Sequence, residues 1–342
     1  VRRACRFCLP AALLAIGACD WASLARQALT YRTLGPGDAG NVASADSLLY
    51  VTLADAGLAI HHARTGLAVA TLPPPAGTAS VDDVAIADGL LFTLDARPPG
   101  HLAVYALGPS GLPELVAPPR AVPVGPFSGV TARAGVVIVS GGTSRMTAWR
   151  YDRHGRLGEV PATADLGRGQ PDAVLSDDGT VAYVATHFRG PRFGLSLVGV
   201  DSAPLRLHPL GHVALDGAGF TAGGAKPANF PIAAASLGRD TVLVAHGGGV
   251  AILNVRETRH PVVLETVALG GPAVSVAVRG AVAVVAVGGA SPALAVLRVA
   301  AGRAAVTRRI PLPPGTFPTA LALTATHAAV TLRDRGVQTY EP

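Results

Sequence analysis

Apolar residues reach this chain in short bursts separated by glycine, proline, asparagine and aspartate, and three kinds of burst recur in a fixed order. The first is a small-residue segment, as in Asp83-Val84-Ala85-Ile86, Gly129-Val130-Thr131-Ala132, Asp172-Ala173-Val174-Leu175 and Ser275-Val276-Ala277-Val278. The second is denser: LLYVTL from Leu48, LLFTLD from Leu90, VVIVSG from Val136, VAYVAT from Val181, TVLVAH from Thr241, VAVVAV from Val282 and HAAVTL from His327. The third aligns without gaps as GLAIH (57–61), HLAVY (101–105), RMTAW (145–149), GLSLV (194–198), GVAIL (249–253), ALAVL (293–297) and GVQTY (336–340). A fourth burst follows most copies, as in LAVATL (67–72), VVLETVAL (262–269) and AVTRRIPL (305–312). Short β-branched runs bounded by turn formers are strands, so the chain reads as all-β.

Four short antiparallel strands in about 40–45 residues make one blade of a β-propeller. First strands are expected to begin near residues 42, 83, 129, 172, 231, 273 and 318, at spacings of 41, 46, 43, 59, 42 and 45. The one long interval holds a Gly-rich insertion, Gly211 to Pro227. After Thr316 only three strands remain, while one extra strand, ALTYRTL (28–34), precedes the first blade. One plus three completes a seventh blade and removes the open edge of the ring. The expected fold is a seven-bladed β-propeller of four-stranded antiparallel blades spanning 28–342, its last blade closed by an N-terminal strand.

Composition sharpens this picture. Hydrophobic residues make up 49% of 342 residues and the mean hydropathy is +0.41, which raises the question of membrane-spanning helices. The two longest apolar stretches fail that test. Leu9 to Cys19 is too short for a hydrocarbon core of about 30 Å, and Ala281 to Ala301 is interrupted by Gly288, Gly289, Ser291, Pro292 and Arg298. The net charge of +6 falls to +3 without Arg2, Arg3 and Arg6 (6 − 3), and the remaining cations are scattered. No basic stripe with interleaved aromatics is present, so a nucleic-acid partner is not expected.

The N-terminus carries its own signal. Residues 1–18 have a positive start (Arg2, Arg3, Arg6), an apolar centre from Leu9 to Ile16 and small residues before Cys19. Ile16-Gly17-Ala18-Cys19 resembles the bacterial lipobox, whose thiol is diacylated and becomes the mature N-terminus. The other cysteines, Cys5 and Cys8, lie inside the leader. The mature chain then has no second thiol for an internal disulfide, which suits an oxidising compartment. The expected product is a cell-envelope protein held to a membrane by lipid on Cys19 through a tether, 19–27, and facing the periplasm or exterior.

The fifth blade, HGGGVAILNVRETRHPVVLETVALGG (246–271), resembles the LVIVD-repeat propellers. Gly248, Gly249, Ile252, Val255 and Pro261 match that repeat, whereas Asn254 replaces its usual aspartate. The fourth blade, QPDAVLSDDGTVAYVATH (170–187), is similar to repeats of surface-layer and lactonase-like propellers. The resemblance implies a propeller on an envelope protein and carries over no catalytic residue.

Candidate chemistry lies where second strands end and first strands begin, because those loops share one face around the channel. Asp55, Asp95, His187, His246 and Asp334 follow second strands, and Asp83, Asp172 and Asn229 precede or open first strands. Together they would form a polar funnel for a small ligand or a metal. Asp and Asn at strand ends also simply make turns. His61-His62 lies on a third strand, where alternation sends one ring inward and one outward. Tyr105, Trp149 and Tyr340 occupy equivalent packing slots. Asp177-Asp178-Gly179-Thr180 reads as a hairpin turn, and neither a nucleophile elbow nor a helix-capped glycine loop occurs. Two functions follow. One is a non-enzymatic binding or scaffold module of the envelope, monomeric, without cofactor, engaging an envelope protein or a small molecule. The alternative is a lactonase-like, metal-dependent hydrolase with its site in the funnel. A quinone-dependent dehydrogenase is disfavoured, since Trp21 and Trp149 are the only tryptophans.

Overall fold

The protein is described by a computed structural model that covers residues 40–122, 129–140, 145–166, 172–186, 194–215, 233–333 and 335–341, together with the backbone of 29–30. For Asp172 the backbone alone is described. The strands assemble into seven antiparallel sheets, one per blade, with consecutive strands as neighbours except in blade 7, where the N-terminal strand pairs with the last.

Blade 1 comprises Val42–Ala45, Leu48–Thr52, Leu58–His62 and Ala68–Leu72. Blade 2 comprises Asp83–Ala87, Leu90–Asp95 and His101–Leu107, with a fourth edge in two pieces, Pro113–Leu115 and Arg120–Ala121. Blade 3 holds Gly129–Arg133, Val136–Ser140, Arg145–Arg150 and Ala162–Asp165. Blade 4 holds Asp172–Leu175, Val181–Thr186, Gly194–Ser202 and Leu205–Ala214. Blade 5 is Ala234–Leu237, Thr241–His246, Gly249–Asn254 and Val262–Ala268. Blade 6 is Ala273–Arg279, Val282–Val287, Ala293–Ala300 and Arg303–Pro311. Blade 7 is Pro318–Leu323, Ala328–Leu332 and Gly336–Tyr340, completed by Leu29–Thr30. Leu29 pairs with Thr339 and Thr30 with Gln338, so the N-terminal strand closes the ring as expected. First strands begin at the expected residues except in blade 5, where pairing starts at Ala234 rather than near 231.

Each blade buries both faces, and this sets the core. Seven apolar clusters occur, and each joins two adjacent blades, including one between blades 7 and 1. The alternation of the second strands explains the arrangement. In blade 5, Val242 and Val244 face blade 4, and Leu243 and Ala245 face blade 6. A dense apolar second strand is therefore required, because no side of it meets water. Large side chains complete the gaps: Phe92 of blade 2 lies with its ring centroid 4.9 Å from that of Tyr151 of blade 3. Tyr105, Trp149 and Tyr340 are all buried, while His61 points inward and His62 outward.

The glycine that opens several third strands has a steric cause. A Cβ at Gly57, Gly194 or Gly249 would overlap the carbonyl oxygen of Leu72, Val213 or Val267, on the outer strand of the same blade. Gly57 and Gly249 also adopt φ of 93° and 138°, where an L side chain is strained.

Outer strands end each sheet and need protection from pairing with other chains. Four of them carry a β-bulge against their third strand, with Val69, Leu210, Leu264 and Thr307 as the extra residues. The bulge breaks the regular ladder there.

Phe92 is fully buried at the blade 2–blade 3 junction. We expect Phe92→Ala to lower the stability of the ring by about 3–5 kcal/mol, measured by denaturant unfolding.

Candidate functional site

The antiparallel ladders place the start of every first strand beside the end of the second, which defines an upper face. The turns from first to second and from third to fourth strands define the lower face. Among the described residues, the expected funnel positions Asp55, Asp83, Asp95, Asp172 and His246 belong to the upper face, in distinct settings.

Blade 2 holds the richest cluster. Asp83 opens its first strand and is half-buried. Its Oδ1 accepts the N–H of Val84 at 2.8 Å, and its Oδ2 accepts the N–H of Val130, on the first strand of blade 3, at 2.6 Å. The carboxyl thus joins two blades at their innermost strands. Burial raises its pKa, the two N–H groups partly offset this, and neighbouring Asp82 adds to the rise, leaving it at about 7.

Asp95 ends the second strand of blade 2 and is 4% exposed. Its Oδ2 accepts the N–H of Ala79 at 2.8 Å, and its Oδ1 accepts the Ser80 hydroxyl at 2.7 Å and the Arg97 N–H at 3.0 Å. Burial pushes this carboxyl up, but those donors outweigh it and hold its pKa below the usual value. Asp82 faces the same hydroxyl, with Oδ2 2.5 Å from Ser80 Oγ, and accepts the Ala96 N–H at 2.8 Å. These bonds tie the connector from blade 1 to the turn after the second strand.

Two neighbouring junctions use hydroxyls and an amide for the same purpose. Asn41 Nδ2 and Thr52 Oγ1, from blade 1, reach the Asp82 carbonyl at 3.3 and 3.4 Å. Thr319 and Thr331 of blade 7 both donate to the Gly40 carbonyl at 2.9 Å. Sequence reasoning missed Asn41, Thr52, Ser80, Asp82, Thr319 and Thr331. The Asp82-Asp83 doublet and the threonines inside apolar second strands were the available signals.

His246 ends the second strand of blade 5 and is 2% exposed. By strand alternation it shares the face of Val242 and Val244 that packs on blade 4. Its Nδ1 accepts the Gly248 N–H at 3.1 Å, so the neutral ring carries its proton on Nε2, which has no hydrogen-bond partner among the described residues. Burial lowers its pKa. Asp55 is exposed in the turn after the second strand of blade 1. Asp172 opens the first strand of blade 4. Cys19, His187, Asn229 and Asp334 lie outside the described residues, as does most of the insertion, 216–227. Among the described residues no three His, Cys, Asp or Glu side chains come together in a way that could hold a metal ion.

No family model matches the chain, and a search of curated proteins finds no relative. The fold has structural neighbours. One is a crystal structure of a protein from Lactobacillus plantarum, a structural-genomics target, with a TM-score of 0.61 at 17% identity. The match covers 81% of this chain and 85% of that one. At that identity the likeness concerns the fold alone. Fold, topology and this likeness together define the chain as a seven-bladed β-propeller.

The raised pKa of Asp83 has a direct consequence for stability. The folded chain holds this proton up to about pH 7, whereas the unfolded chain releases it near the ordinary value of 3.8. Stability from this group is therefore full below the ordinary value and is lost as pH rises through about 7. His246 works in the opposite direction, losing stability as pH falls below the usual imidazole range. We expect wild type to lose stability relative to Asp83→Asn between about pH 4 and about pH 7, with the difference levelling off above that. Unfolding of both proteins across that range measures it; a constant difference would exclude the assignment.

Proposed function

We propose that this propeller is a lipid-tethered scaffold or binding module of the cell envelope. The observation that carries the non-enzymatic reading is the employment of the blade 2 carboxylates. Asp82, Asp83 and Asp95 accept backbone N–H groups from Ala79, Val84, Ala96, Arg97 and Val130. Their lone pairs hold connectors and neighbouring blades in place. A metal-dependent hydrolase would need the same oxygens to coordinate a cation while keeping the backbone donors that hold the ring.

The envelope address rests on the segment before the ring. Residues 1–19 carry the leader pattern and a lipobox-like Ile16-Gly17-Ala18-Cys19. The similarity of blade 5 to LVIVD repeats supports the same setting. The working surface on this reading is the upper face, built from connectors of differing length above a rigid ring. Its occupant is an envelope protein or a small molecule.

The test is fractionation of cells expressing wild type and Cys19→Ala. Wild type is expected in the membrane fraction with an acylated Cys19, and the variant in the soluble periplasmic fraction. Unchanged membrane association of Cys19→Ala would sink the tether. Metal analysis of the purified protein separates the two functional classes. A stoichiometric divalent cation, lost in His246→Ala, would favour the hydrolase.

A further inference from the structure

The connection between the third and fourth strands of blade 3 runs from Tyr151 to Pro161, eleven residues (161 − 151 + 1). The same connection has only two residues in blade 4, Ala203-Pro204, and in blade 6, Ala301-Gly302. The longer one is fastened to blade 2 at three places. Tyr151 donates its hydroxyl to Asp88 Oδ2 at 2.6 Å. Gly155 is buried, and a Cβ there would lie 3.0 Å from Val104 and 3.2 Å from both Leu90 and Val116. Arg120 donates through Nη1 to the Gly158 carbonyl at 2.5 Å and through Nη2 to the Glu159 carbonyl at 2.6 Å. Its own geometry is fixed as well. Asp152 Oδ1 accepts the N–H groups of His154 and Arg156 at 2.8 and 3.0 Å, and the Gly155 N–H donates to the Asp152 carbonyl at 2.9 Å.

These anchors are mostly backbone groups, and they leave a basic tip outside. Arg153, His154 and Arg156 are all exposed. Neither arginine forms an ion pair among the described residues. Arg153 Nε donates to His154 Nε2 at 3.1 Å, which holds the two side chains together. The tip has one carboxylate, Asp152, and its Oδ1 is committed to the two N–H groups. Glu159 is exposed farther along, next to Val160. Val160 is four residues after Arg156 and so within about 14 Å of it. At 80% it is the most exposed large apolar side chain among the described residues.

We propose that this connection is a docking edge for an acidic segment of another protein, whose carboxylates meet Arg153 and Arg156 and whose apolar side chain covers Val160. Charge complementarity selects the partner, since a guanidinium pairs with a carboxylate through two parallel bonds. The three anchors pre-order the edge, so binding costs this chain little conformational freedom. A bilayer fits less well, because a single valine offers little apolar area to insert. A single-stranded nucleic acid fits less well too, because Tyr151, the aromatic side chain of the connection, is buried and offers no face for stacking. The surface is separate from the upper face and does not depend on the lipid tether.

The test is binding of the full-length protein to a fluorescein-labelled peptide of repeating Glu-Glu-Leu units, followed by fluorescence anisotropy. Changing Arg153 and Arg156 together to glutamine is expected to weaken binding by about fivefold or more. Changing Arg259 and Arg303 together to glutamine removes the same charge in blades 5 and 6 and should leave binding unchanged. Arg120→Lys keeps its charge but gives up the paired bonds to Gly158 and Glu159, and should also weaken binding. Wild type is expected to prefer this peptide to one of Glu-Glu-Ser units, and Val160→Ser to lose that preference. Circular dichroism confirms that each variant is folded. Absence of binding by wild type overturns the proposal. So do equal losses in the two double variants, which would show attraction to the overall positive charge alone. Displacement of the peptide by inorganic phosphate at matching concentration would show a small-anion site and overturns it as well.

Discussion

The structure depends on one constraint: a blade has two apolar faces and can bury neither by itself. Its second strand is fully enclosed in most blades, as in the run from Leu48 to Thr52. A sheet of that composition is stable only between two others, and a row of such sheets ends only when it closes on itself. The seven apolar clusters, one per junction, are this requirement expressed as packing. The N-terminal strand follows from the same logic. Blade 7 draws three strands from the C-terminus and one from the N-terminus, so unfolding of either end exposes an edge and loosens the junctions on both sides.

Polar groups refine what apolar packing begins. Over the arc from blade 7 to blade 3 the innermost strands are joined by bonds from Thr319, Thr331, Asn41, Thr52 and Asp83 to neighbouring backbone groups. Small residues crowd the first strands, leaving little apolar area there, so directional bonds help to set the spacing between blades. Asp83 does this with an ionisable group, which makes its junction sensitive to pH near neutrality. Farther out, Tyr50 donates to the Gly111 carbonyl and Tyr151 to Asp88, at 2.7 and 2.6 Å, anchoring aromatic packing residues to the next blade or the preceding one. The upper-face polar residues thus serve the ring before they serve any ligand.

The two faces differ in build. Most lower-face turns are short, the connection from Arg150 to Ala162 in blade 3 being the main exception, whereas the longer connectors gather on the upper face, where the chain passes from blade to blade.

Much of this was legible in the linear pattern. The repeat of small, dense and glycine-led bursts determined the blade count, the strand order and the closure of blade 7, because the pleat forces a period of two and burial on both faces forces unbroken apolar runs. The opposite orientation of His61 and His62 followed from the same alternation, and the equivalent slots of Tyr105, Trp149 and Tyr340 marked them for packing, while burial decided that His61 is the inward ring. The pattern did not reveal what the polar residues do. Asp83 and Asp95 read alike as strand-end carboxylates, yet burial raised the pKa of Asp83 despite its donors, while donors from Ala79 and Ser80 outweighed burial at Asp95 and lowered it; only the tertiary fold decides which prevails. Likewise, the glycines that open third strands look like turn residues until the outer strand lies across them. Periodicity along a chain specifies which side of a strand is buried; the partners that meet it there are set by how seven sheets close into a ring.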